Sequence, residues 1–142
     1  MSGAENEGGL DLSGLWQGIY SYPSKRKPIA FSATLTETGF HLVGTSQEIG
    51  TFGDANGQVL GASLDGRRSG RSVTWLKLYH GTWRRYDAVH YSGEVSTDGN
   101  EISGTWTIPG NWSGNFLMIR AGGGTEEEML EAFATISVPA RR

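Results

Sequence analysis

The sequence predicts an all-β domain: an eight-stranded antiparallel up-and-down β-barrel with one C-terminal α-helix. Three observations lead there. Twenty-two glycines are spread over 142 residues without a fixed period, which suits many short strands joined by turns. Apolar residues alternate with period two in one segment after another. Helical spacing appears only beyond Gly124.

The first strand is read over 12–22, where Gly14, Trp16, Gly18, Tyr20 and Tyr22 form one row, and it stops at the prolines of "YPSKRKP", which lack ladder donors. The second, 29–38, alternates Ile29, Phe31, Ala33 and Leu35 against Ala30, Ser32 and Thr34. Gly39 leads by a tight hairpin into the third, 40–49, and the loop "GTFGDANGQ" leads to a short fourth strand around 59–64. "DGRRSG" is read as the next turn. In the fifth, 72–80, Val73, Trp75, Lys77 and Tyr79 share one face and Thr74, Leu76 and Leu78 the other. Both faces are partly apolar, so the pattern leaves the inward face open. The sixth, 85–95, ends before Asp98-Gly99, a strong hairpin signal. The seventh, 101–108, ends at Pro109-Gly110, and the eighth, 112–121, closes the meander.

After the triple glycine at 122–124, Thr125 and Glu128 form a capping box, and Met129, Phe133 and Ile136 lie at helical spacing. A helix of about three turns is expected to lie against the outside of the sheet. The chain thus divides into a flexible acidic tail (1–11), the barrel (12–121), and a glycine linker, helix and tail (122–142). Cysteine is absent, which excludes disulfides, a thiolate nucleophile and cysteine-ligated zinc. The acidic start resembles no secretory signal and no stretch reaches membrane-span length, so a soluble, cytoplasmic protein is expected, with no membrane partner. A net charge of −3 gives no general attraction for nucleic acid. The basic groups Lys25, Arg26 and Lys27, Arg67, Arg68 and Arg71, and Arg84 and Arg85 fall in predicted turns, where solvated charge is the ordinary expectation.

Closure of eight antiparallel strands removes exposed edges, and an eight-stranded barrel is either filled by side chains or holds one small ligand. The last strand then pairs with the first, bringing Gly14, Trp16 and Arg120 to one end with the guanidinium over the indole. "GLW" at 14–16, the eight meandering strands, Arg120 late in the last strand and a following helix together resemble the calycin superfamily of lipocalins, fatty-acid-binding proteins and avidins. The resemblance implies that Trp16 and Arg120 are a structural pair on the barrel floor. It extends to no one member family: the lipocalin cysteines, the helical pair of fatty-acid-binding proteins, the biotin-binding residues of avidins and the late histidine of nitrobindin-type haem barrels have no counterpart here.

The aromatic set Tyr20, Tyr22, Phe31, Trp75, Tyr79, Trp106, Trp112 and Phe116 is expected to line the interior, either as packed core or as the wall of a cavity for a flat or amphipathic ligand. Glu48 has the parity of Phe40, Leu42, Gly44 and Ser46, and Lys77 that of Val73, Trp75 and Tyr79. Either these charges sit near strand ends in solvent, or they point inward and must pair or meet a polar ligand group. The leading expectation is non-catalytic binding of a small hydrophobic or aromatic ligand. A barrel enzyme of cyclase or isomerase type using Glu48, Lys77 or His90 is one alternative, and a filled barrel acting as an interaction module is the other. His41, His80 and His90 have no metal-site spacing, and neither "GDANG" nor "AGGG" is a phosphate or dinucleotide loop, so no metal or cofactor is expected.

Overall fold

The computed structural model describes residues 11–23, 27–50, 57–81, 88–110 and 112–121. They form β1 (Gly14–Tyr20), β2 (Ile29–Thr38), β3 (His41–Ile49), β4 (Val59–Ser69), β5 (Ser72–Tyr79), β6 (Val89–Val95), β7 (Glu101–Ile108) and β8 (Trp112–Arg120). Each strand pairs antiparallel with the next, and β1 pairs with β8 to close the barrel. This architecture is compatible with a calycin-like fold. The expected tails, glycine linker and C-terminal helix lie outside the described residues.

Alternation decides what faces inward. In β2, Phe31, Ala33 and Leu35 are buried and the residues between them exposed; β5 buries Val73, Trp75 and Lys77, with Thr74 exposed and Leu76 half-buried between them, which settles the face that its pattern left open. Gly18 explains part of the glycine–aromatic row in β1. A Cβ there would lie 2.1 Å from Cζ of Phe31, so the missing side chain is the space that the ring occupies.

Three strands differ from expectation by more than a residue. β6 begins at Val89, with 85–87 outside the described residues. β1 ends at Tyr20 and begins only at Gly14, and Leu12, outside the ladder, is fully buried at the floor. β4 is not short: it runs eleven residues through "DGRRS" to Ser69, and the turn is Gly70-Arg71. The glycine that suggested a turn, Gly66, sits instead where a Cβ would meet the Thr74 carbonyl oxygen at 1.9 Å. Its role is close approach of β4 to β5. The added length turns Arg68 inward, where it is 3% exposed and pairs with Glu37 at 3.0 Å. A solvated turn arginine is therefore the wrong reading of Arg68, since the expected turn never forms around it.

The two barrel ends differ. Tight turns after β2, β4 and β6 gather at one end, which is sealed. Arg120 stacks over Trp16 at 4.5 Å and donates to the carbonyls of Asp11, Ser13 and Gly99. Trp16 Nε1 donates to the Leu12 carbonyl, and the Leu12 amide to Glu37 Oε1. Leu12 itself is fully buried. At the opposite end β1, β3, β5 and β7 finish.

Candidate functional site

Three strands that finish at the end opposite the floor bring one polar cluster together. Tyr20 is the last residue of β1, Glu48 the penultimate residue of β3, and Lys77 and Tyr79 close β5. The observed burial pattern of their strands puts all four on the inner face. Glu48 is 5% exposed and Lys77 2%, and Lys77 Nζ donates to Glu48 Oε1 at 2.8 Å. The Tyr79 hydroxyl donates to the same oxygen at 3.1 Å and the Tyr20 hydroxyl to Oε2 at 2.5 Å. Of the two possibilities left by the sequence, the charges take the interior, paired arrangement.

Four rings surround the ammonium: Lys77 Nζ lies 4.7 Å from the ring centroid of Tyr79, 5.2 Å from Tyr20, 5.3 Å from Phe31 and 5.8 Å from Tyr91. Ring faces carry the negative end of a quadrupole, so this cage supplements the single carboxylate. Burial works against the Lys77 charge, but the phenol oxygens of Tyr91 and Tyr79 and the Glu48 carboxylate more than offset it, and its pKa lies well above the ordinary lysine value. Burial, reinforced by Tyr79 and Glu48, pushes the Tyr20 phenol far up. Tyr79 is raised by burial despite the opposing Lys77 charge, and Tyr91 likewise. All three phenols therefore remain O–H donors at ordinary pH.

Deeper in, Trp75 and Tyr91 are cross-strand partners stacked at 5.5 Å. Phe116 meets them edge-on at 5.7 and 4.9 Å. Trp106 stands against Tyr20 at 5.9 Å and Tyr22 at 5.5 Å, its indole N–H held by the Ser21 carbonyl. Tyr22 and Tyr79 are half-buried. Trp112 is 40% exposed and packs edge-on to Tyr22 at 5.5 Å, on the rim. Seven of the ten residues proposed from sequence (Tyr20, Phe31, Glu48, Trp75, Lys77, Trp106 and Phe116) are thus buried in the barrel, with the other three toward the rim.

His90 is on the opposite face: it is exposed between the buried Val89 and Tyr91 and does not reach the Glu48–Lys77 cluster. Sequence reasoning passed over Tyr91, although its alternation with Val89, Gly93 and Val95 would have placed it inside. It also passed over the Glu37–Arg68 pair, whose signal was hidden by the mistaken turn. Among the described residues, no group of three histidine, aspartate or glutamate side chains is arranged to hold a metal ion, and no helix is long and apolar enough to cross a membrane. In comparisons with known proteins, no family model matches the chain and no curated protein matches its sequence.

Proposed function

We propose that the protein binds a small hydrophobic or aromatic molecule in the half of the barrel that holds the Glu48–Lys77 cluster, without catalysing a reaction on it. One observation carries the reading: a carboxylate, an ammonium and two phenols converge, buried, in an otherwise aromatic interior. Stability alone gives little reason for such a cluster, because apolar side chains of equal volume commonly stabilise a core as well as a buried ion pair does. A polar cluster flanked by rings is instead the composition of a ligand site, where a few fixed polar groups orient a ligand held by apolar surface.

Two features favour binding over catalysis. The elevated Lys77 pKa keeps its amine protonated and so unable to act as nucleophile or base, and His90 faces solvent. Native mass spectrometry of the intact protein, purified without organic solvent, tests the reading: a bound small molecule lost on collisional activation is expected. A spectrum of bare protein, together with no quenching of tryptophan fluorescence by aromatic probes, would overturn it.

A further inference from the structure

Ser46 is 3% exposed, and its Oγ has no hydrogen-bond partner. A buried hydroxyl without a partner is costly and calls for an explanation. Ser46 stands on the inner face of β3, two residues before Glu48, with Ala33 of β2 and Ala62 of β4 in register on either side. Both alanines are buried. Larger side chains flank this row: Leu35 and Leu64 oppose Gly44 on one side, and Phe31 and Leu60 oppose Glu48 on the other. Three small residues on three adjacent strands make a shelf in the barrel wall, and the one polar atom on it is unsatisfied.

Charge at the neighbouring cluster restricts what the shelf takes. Glu48 and Lys77 neutralise each other at 2.8 Å, and Tyr20 and Tyr79 donate to the same carboxylate. A ligand carrying its own formal charge would add an uncompensated charge to this buried site, which is strongly unfavourable. An uncharged ligand carries no such penalty, and a hydroxyl or carbonyl on it would satisfy Ser46 Oγ.

Building on the ligand-binding reading above, we propose that the ligand is an uncharged planar molecule bearing a hydroxyl or carbonyl group, hydrogen-bonded by Ser46 and laid on the Ala33–Ser46–Ala62 shelf. Three probes with one ring system test this on the intact chain at neutral pH: 2-naphthol, naphthalene and 2-naphthoate, followed by tryptophan quenching. 2-Naphthol is expected to bind about tenfold more tightly than naphthalene, the gain of one well-made hydrogen bond, with 2-naphthoate the weakest. Ser46→Ala, whose unfolding midpoint is expected to be unchanged or raised, should bring 2-naphthol to the affinity of naphthalene and leave naphthalene unaffected. Tightest binding by 2-naphthoate, or an affinity for 2-naphthol indifferent to Ser46→Ala, would overturn the proposal. Equal binding of all three overturns this inference while leaving the ligand-binding reading intact; binding of none overturns both.

Discussion

Glu48 accepts three hydrogen bonds inside an aromatic barrel, and every one of its donors is itself buried or half-buried. Removing one charge leaves the other stranded, so Glu48→Gln and Lys77→Met should each lower the unfolding free energy by about 3–5 kcal/mol. The double variant should recover most of that loss, because the stranded charge has gone. Urea denaturation of the three variants measures both outcomes. The buried phenols make a second prediction. Tyr20, Tyr79 and Tyr91 have raised pKa values in the folded protein, whereas in the unfolded chain each ionises near 10. Below about pH 10 folded and unfolded chains hold the same phenol protons; above it the unfolded chain releases protons that the folded one keeps, so stability falls as pH rises. Lys77, also raised, acts in the same direction above its ordinary value. Each group steepens the loss by ~1.4 kcal/mol per pH unit. Absorbance titration should show these three of the five tyrosines ionising only together with unfolding.

Strand alternation makes much of this interior legible in the sequence. The bounds of β2 and β7 follow from it directly, because their alternation is clean and their flanking turns are marked by Gly39, Asp98-Gly99 and Pro109-Gly110. β4 was misread because glycine carries two meanings that sequence cannot separate, a turn or a close approach of backbones. Gly66 has the second, and the consequence spreads to Arg68, which a turn would place in solvent. The pairing of Glu48 with Lys77 was legible only as a requirement: each lies at an inward parity, but their meeting depends on the stagger of β3, β4 and β5. Ser46 lay on the same row, and nothing in the sequence says its hydroxyl lacks a partner. At this scale Gly66→Ala is the sharpest test. Its Cβ would meet backbone as well as side chain, so the strands must part, and a loss of about 2–3 kcal/mol is expected, the upper part of the overpacking range. A thermal melt that leaves the midpoint unchanged would contradict the role assigned to Gly66.

As a whole the barrel is asymmetric, with one end sealed and the other carrying the polar cluster. The seal joins distant parts of the chain: Arg120 of β8 holds Asp11, Ser13 and Gly99, while Glu37 accepts from both Arg68 and the Leu12 amide. Arg120→Ala removes charged hydrogen bonds and the stacking on Trp16, for an expected loss of about 2–3 kcal/mol. It should leave ligand affinity unchanged in the folded fraction, since the floor is at the opposite end of the barrel from the polar cluster. That separation of a structural end from a binding end is the central claim. Its most direct test is the affinity of 2-naphthol for Ser46→Ala and for Arg120→Ala, with fluorescence quenching read against the wild-type chain. Binding weakened by about tenfold in Ser46→Ala, the worth of one lost hydrogen bond, with wild-type affinity in folded Arg120→Ala, is the expected result; an equal loss in both variants, or wild-type affinity in Ser46→Ala, would contradict it.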